Sequence, residues 1–375
     1  MEFSSEALKD NPPKQAACVA AELPVNEQPF PASALTHLKG LSVNNNLQEM
    51  RKLLREAKFV AGKLAISGQI TVFYAAPNTG KTLITLKLVS ESIANDNAGE
   101  NVFYINLDDT YEGLITKAEL GDRYGFNVLG PEVFTKPLAN FTEVVDKVIK
   151  EQSAGEAVFI LDTVKKFVDV MDKKASSQFM NICRRFTAAG GTIIALAHVN
   201  KRTNDSDEGI PAGTSDILDD CDCAYVMNNM GEATSTAGTT RAVEFLQKKA
   251  RGPSAQRAVY QYRVIPDEYF MMLSSVKLVD GDEADRISQL RAIDVEKEKD
   301  LDIIAAIMNF ISPTKPTPQS QILTKLAGPD GFSRRRLVYC LKRWSCPAEE
   351  GGLWVLKKGD ANSNCYQLLD QPPPN

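Results

Sequence analysis

An α/β fold with a mostly parallel central sheet, followed by a small helical module, is predicted by three features of the chain. Continuous apolar β-type runs recur at 69–75, 102–107, 157–161, 192–197 and 223–228, with helical stretches between the early ones; such runs suit strands buried on both faces. The first run stops in a small, turn-prone loop that ends in Gly80-Lys81-Thr82, and a helix-compatible stretch begins there. Beyond residue 280 the pattern changes to three short amphipathic helices and two β-type runs around a Gly turn.

Taken in order, residues 1–45 carry Asn11-Pro12-Pro13, Pro24, Pro29 and Pro31 without a lasting period and read as a mostly disordered arm. A helix is expected from Leu47 to Lys58, where Leu47, Met50, Leu53 and Leu54 share one face. It leads into the main domain, residues 46–280. The later runs near 242–249, 257–263 and 268–276 have no helices between them and are expected as antiparallel strands closing the sheet's edge. Residues 281–298 read as a charged linker helix. The module at 299–370 has helices over Leu301–Ile311, Gln319–Leu326 and Phe332–Trp344, the last with Ser333 as N-cap, and then GLWVLKKGD and NCYQLL. Three helices and a β-hairpin in this order are those of a winged helix-turn-helix; residues 371–375 are a tail.

Composition narrows the function classes. Of 375 residues 43% are hydrophobic and 24% charged, the balance of a soluble globular protein, and no run is long and apolar enough to span a bilayer. The polar, acidic start MEFSSEALKDNPPKQ lacks the basic and apolar regions of a signal peptide, so a cytoplasmic location is expected. The net charge of −5 provides no global basic field, and any nucleic-acid contact has to come from local patches. Of seven cysteines only Cys221 and Cys223 are close in sequence; a single C-x-C is no zinc site, and all are read as reduced thiols.

The chemistry begins at Ala76-Pro77-Asn78-Thr79-Gly80-Lys81-Thr82. Backbone N–H groups in such a loop wrap an anion, Lys81 reaches the β- and γ-phosphates, and the Thr82 hydroxyl is placed to hold Mg²⁺. The positive end of the following helix faces the same phosphates. ATP and Mg²⁺ are therefore the expected cofactors. Ala75 stands where the pattern G-x-x-x-x-G-K-[ST] has its first Gly, a change that fits unless the position needs φ > 0. Asp162 closes the apolar run AVFILD, the strand-end acid expected to hold Mg²⁺ through its outer coordination shell. Asp108 and Asp109 close VFYINLDD, and one of them is expected to polarise the attacking water.

The order phosphate loop, INLDDTYEGL, FILDTVKKF, LAHVNK, AGTSDILDDCDCAYVM and QKKARGP resembles the RecA-like ATPases, specifically plasmid RepA-type and DnaB-type hexameric helicases, over roughly residues 45–275. The resemblance implies a RecA-like core. It implies that Asp108, where the family usually has Glu, activates water and that His198, which ends TIIALAH, senses the γ-phosphate. Lys201 and Arg202 open the polar segment 201–209 that matches the family's channel loop for single-stranded DNA, and Gly213-Thr214-Ser215 matches its G-[ST]-S turn. Lys249-Ala250-Arg251-Gly252-Pro253 resembles K-x-R…G-P, implying that Lys249 and Arg251 point into a neighbouring subunit's ATP site. A homo-oligomeric ring, with a hexamer as the expected form, follows from the same likeness; the N-terminal arm, outside it, is read from its own sequence as a tail for a replication partner.

In the C-terminal module Leu337, Leu341 and Trp344 form an apolar stripe, and Arg334, Arg335, Arg336, Lys342 and Arg343 occupy the rest of that helix. Residues 299–370 hold ten Lys/Arg against seven Asp/Glu. Duplex DNA is thus an expected partner of this helix, with Lys357 and Lys358 on the wing against phosphate. The combined expectation is an ATP-driven DNA helicase of a plasmid, phage or integrated element. The alternatives are a RecA-like ATPase that loads, recombines or regulates without unwinding, and a small-molecule kinase using the same loop.

Overall fold

The computed structural model describes residues 32–40, 42, 44, 47, 58–96, 99–203, 209–211, 215–235, 238–329 and 331–369. The chain divides into two units, Met1–Glu56 and Ala57–Asn375. In the first, a helix α1 (Ala32–Gly40) lies inside the segment expected to be disordered. Leu35 and Leu38, three residues apart and both largely exposed, give that short stretch one helical face, and Gly40 ends it. The helix expected over 47–58 falls almost wholly outside the described residues.

The second unit starts with a two-stranded hairpin, β1 (Phe59–Ala61) and β2 (Ala65–Ile66). There follow β3 (Ile70–Ala75), α2 (Lys81–Asp96), β4 (Val102–Asn106), α3 (Tyr111–Tyr124), β5 (Asn127–Leu129), α4 (Pro137–Lys150) and β6 (Val158–Asp162). Next are α5 (Val164–Phe167), α6 (Lys173–Ala188), β7 (Thr192–Thr203), β8 (Gly209–Pro211), α7 (Ser215–Asp220), β9 (Cys223–Ser235), β10 (Gly238–Lys249) and β11 (Arg257–Val264). The strands assemble in the order β12-β11-β10-β9-β3-β7-β6-β4-β5, where β12 is Lys277–Leu278, and β8 pairs with β7. From β9 to β5 every pairing is parallel, and β10, β11 and β12 add antiparallel strands at one edge.

The five early runs are these parallel strands, and β3 is buried at all six positions because helices cover both faces. One core packs α2 and α3 against one face through Leu83, Leu86, Val89 and Leu120; the other packs α4 to α6 against the opposite face through Phe141, Phe167, Phe179 and Phe186. Each fully buried aromatic or branched side chain contributes about 1.5–3 kcal/mol by transfer from water, which makes this two-sided burial the main source of the core's stability.

One expectation is overturned. Residues 268–276 form not a strand but the helix α8 (Tyr269–Ser275), and only the two residues of β12 close the edge. Tyr269, Leu273 and Val276 recur at intervals of four and three, and Leu273 and Val276 are buried while Met271 and Ser274 are exposed, so a helical period was present within an apolar run.

A long helix α9 (Gly281–Lys299) follows, capped by Asp280, whose carboxylate accepts from the Glu283 amide. Beyond it α10 (Leu301–Phe310), α11 (Gln319–Leu326) and α12 (Arg334–Arg343) surround their own core of Ile307, Ile322, Leu337, Leu341, Trp344 and Trp354. The strands β13 (Thr317–Pro318), β14 (Trp354–Lys358) and β15 (Asn364–Leu368) form a small antiparallel sheet beside it. Ser333 caps α12 as its sequence predicts, accepting from the Arg336 amide. The six described cysteines are all unpaired thiols. No described helix is long and apolar enough to cross a membrane.

Candidate active site

Parallel packing brings the carboxyl ends of β3, β7, β6 and β4 side by side. Register places Ala75 beside His198 and Asn106 beside Asp162. Open α/β sheets bind ligands in a crevice at such strand ends, and here a cleft of about 500 Å³ opens there. Its lining includes Ala76, Pro77, Asn78, Gly80, Lys81 and Thr82 from the loop and the start of α2, with Asp108 just beyond β4, Asp162 at the end of β6, and His198, which does not end its strand as expected but is the seventh of the twelve residues of β7. Thr79 is buried instead, its hydroxyl donating to the Ala76 carbonyl at 2.9 Å, which tightens the loop.

The loop's shape explains the departure at its start. Ala75 is still part of β3 and fully buried, and the positive φ values fall later, at Asn78 (61°) and Gly80 (94°). Asn tolerates this region better than other side chains, and Gly80 is needed twice over, since a Cβ there would lie 2.8 Å from the Tyr262 hydroxyl. Ala75 therefore carries no backbone strain.

Asp162 is the hub of the cleft. Its Oδ1 pairs with Lys81 Nζ at 3.2 Å, and its Oδ2 accepts from the Thr82 and Tyr104 hydroxyls, each at 2.7 Å. Lys81 and Asp162 are both buried, so each charge depends on the other. Among the described residues no three His, Cys, Asp or Glu side chains converge on a metal-sized point. One hydroxyl and one carboxylate are what Mg²⁺ needs when phosphates and waters fill its remaining positions, so Thr82 and Asp162 fit that ion.

The two neighbouring carboxylates differ in their contacts. Asp109 is tied into the start of α3: it accepts from Asn106 Nδ2 at 3.2 Å and the Thr110 amide at 3.1 Å, and pairs with Lys117 at 3.4 Å. Asp108 instead pairs with Lys166 at 2.9 Å and Lys165 at 3.2 Å. Burial pushes its carboxyl up, but the two ammonium groups outweigh this and hold it below the ordinary carboxylate range. Asp108 is therefore ionised, and its two lysines, which make it a weaker base, would have to release it before it could accept a proton.

Three groups in the cleft are buried without a hydrogen-bonding partner: the Thr163 hydroxyl, both His198 ring nitrogens and the Tyr269 hydroxyl. Buried polar groups are nearly always paired, and orphans gathered in one cleft fit a polar ligand that would complete them. Burial, and then Lys81 and Lys165, hold His198 below the ordinary imidazole range. The unfolded chain then takes up the proton first on acidification, so this group's stabilising contribution is complete above about pH 6.5 and is lost as pH falls. His198→Gln is expected to flatten that limb of unfolding free energy against pH, as measured by urea titration; an unchanged limb would mean the imidazole is not held neutral.

Sequence reading missed the cleft's other wall. Arg241 on β10 donates to the Asn78 carbonyl at 2.6 Å and the Tyr262 hydroxyl at 3.2 Å, and its Nε donates to Glu232 at 2.9 Å. Lys117, Tyr262, Tyr269 and Met272 complete the wall. These residues lie up to 190 positions from the loop, and Arg241 follows the polar Gly-Thr-Thr just ahead of the run at 242–249, where nothing local marks it.

Other expected site residues lie elsewhere. Lys249 donates to the Leu218 carbonyl at 3.0 Å and to that of Asp219, and Arg251 pairs with buried Asp222 at 3.1 Å. Asp222 also binds Arg184 and exchanges hydrogen bonds with Ile70, the first residue of β3. Lys249 and Arg251 therefore occupy the opposite end of the central strand from their own chain's cleft. Lys201 and Arg202 lie in the outer part of β7, which pairs with β8, and their side chains, like Gly213 and Thr214, fall outside the described residues.

On α12 the stripe of Leu337, Leu341 and Trp344 is fully buried, as the spacing predicts. Its five cations divide. Arg336 binds Asp300 Oδ1 at 2.8 Å and the Lys299 carbonyl at 3.0 Å. Arg343 grips both oxygens of Glu296 and lies 4.5 Å from the Trp344 ring, and the Tyr339 hydroxyl donates to Glu296 at 2.8 Å. Arg336 and Arg343 thus fasten α12 to the end of α9, leaving Arg334, Arg335 and Lys342 exposed. Lys357 and Lys358 are exposed on β14, bonded to Gln367 and Asn364.

Neither a protein-family model nor a curated protein matches this chain.

Proposed function

We propose that the chain is a P-loop ATPase with a RecA-like core that acts on DNA, as a ring-forming helicase with a winged helix at its C-terminus. The observation that carries the reading is the Lys81–Thr82–Asp162 constellation at the carboxyl ends of parallel strands, next to an ionised Asp108. Bound Mg²⁺ would neutralise charge on the transferred phosphoryl group. The chain's own residues do the rest. The amides at the start of α2 and Lys81 orient the triphosphate, Asp108 accepts the proton of the attacking water, and His198, held neutral, hydrogen-bonds near the terminal phosphate. Arg334, Arg335 and Lys342 supply the exposed cations of a duplex-facing helix.

A second reading, a DNA-associated ATPase that does not unwind, is favoured by the bonding of Arg251 to Asp222 within its own chain. ATP hydrolysis measured against protein concentration, with and without single-stranded DNA, together with strand displacement, tests both. Turnover that rises with assembly and DNA and displaces a strand supports the helicase. Turnover without displacement supports the second reading, and turnover per chain that is flat and indifferent to DNA overturns both.

A further inference from the structure

Within the loop at 76–82, Thr79 donates to the Ala76 carbonyl through its hydroxyl at 2.9 Å and its amide at 3.4 Å. A second restraint comes from across the cleft, and it falls on the two residues with left-handed backbone, Asn78 and Gly80. A residue with a side chain costs free energy in that region and persists there only where its surroundings enforce it.

The enforcing groups form a row across three strands. Register sets Arg241 of β10 directly opposite Glu232 of β9 on one side and Tyr262 of β11 on the other. Arg241 Nη1 donates to the Asn78 carbonyl at 2.6 Å and to the Tyr262 hydroxyl at 3.2 Å. That hydroxyl lies against Gly80, where a Cβ would stand 2.8 Å from it. Glu232 accepts from Arg241 Nε at 2.9 Å and also from Nη2. Each left-handed position thus meets one member of the row, and Glu232 holds the guanidinium from behind. A carbonyl engaged by a guanidinium keeps its negative end there, turned from an incoming anion.

We infer that Arg241 and Tyr262, anchored by Glu232, are positioning residues that shape the phosphate loop before a phosphate arrives: Arg241 fixes the Asn78 carbonyl and Tyr262 seats Gly80, so that the loop stands ready for the anion. This rests on the nucleotide reading given above. Arg241 acts through the loop, since its charge is already committed to Glu232.

The test uses the full chain, Arg241→Gln, Tyr262→Phe and the double variant, with stopped-flow binding of a fluorescent ADP analogue in Mg²⁺. Loss of a preformed state lowers the competent fraction, which slows association and leaves dissociation unchanged. Arg241→Gln is expected to slow association about 10-fold and Tyr262→Phe about 3-fold, with dissociation changed by less than about 2-fold. The double variant is expected to associate no more slowly than Arg241→Gln alone, because the two residues act as a unit. The Glu232 side chain is 41% exposed, so water serves it once Arg241 is gone, and thermal unfolding checks each variant's fold. Unchanged association in a folded variant would overturn the inference. So would faster dissociation with association unchanged, which would assign Arg241 to the phosphate itself, and so would additive losses in the double variant. Should Arg241→Gln not fold, Tyr262→Phe decides by the same two rates. An unaltered chain that did not bind the analogue would overturn the nucleotide reading and the inference with it, whereas rates that fail only in the variants overturn the inference alone.

Discussion

Lys81→Ala is expected to lower ATP turnover by a factor of about 10²–10³ or more, the scale seen when one preorganised donor to a developing charge is removed. The side chain has two tasks, and the variant removes both. Among the described residues Lys81 is the only cation bonded to Asp162, and with nucleotide bound it would serve the phosphates. Deleting one partner of a buried pair costs about 3–5 kcal/mol when the remaining charge is stranded. Two hydroxyl donors still serve Asp162 Oδ2, so the cost is expected at the lower end. Single-turnover hydrolysis together with thermal unfolding separates the two effects. A folded variant that retains turnover would show that the loop does not hold the triphosphate.

Arg251→Ala is expected to abolish DNA-stimulated turnover, by a factor of about 10³ or more if the guanidinium acts on a neighbouring chain's phosphoryl group, while leaving nucleotide binding nearly intact. The structure makes this a clean substitution. Arg184 and the Ile70 amide both remain bonded to Asp222 when Arg251 is removed, so the buried carboxylate is not stranded. Mixing the variant with Asp108→Asn protein is expected to restore part of the activity, because mixed neighbours would include sites with both residues intact. Absence of rescue, with both proteins shown to assemble, would place Arg251 in a purely structural role at the base of β3.

Much of this architecture can be read from local pattern. The parallel strands are legible because burial on both faces forces an unbroken apolar run, and the loop at 76–82 because its chemistry is confined to consecutive residues. Asp162 is legible for the same reason, as an acid closing such a run. What escaped is non-local. The wall formed by Arg241, Tyr262, Tyr269 and Lys117 is assembled from β10, β11, α8 and α3, and nothing within each element marks its position. The strand expected at 268–276 failed because seven apolar-rich residues satisfy either period, and packing against α2 decides between them. The cations of α12 show the same limit. Their count is visible in sequence, but the commitment of Arg336 and Arg343 to Asp300 and Glu296 depends on how two helices meet.

The bonds that Asp162 already makes bear on the order in which ligands enter. A free divalent cation approaching the cleft meets a carboxylate already neutralised by an ammonium group, with its second oxygen occupied by two hydroxyls. Nothing there rewards stripping its hydration shell. Under the nucleotide reading, phosphates would draw Lys81 toward themselves and so free one oxygen of the carboxylate for a metal. The cation should therefore arrive as the nucleotide's escort, and the vacant protein should be indifferent to magnesium concentration.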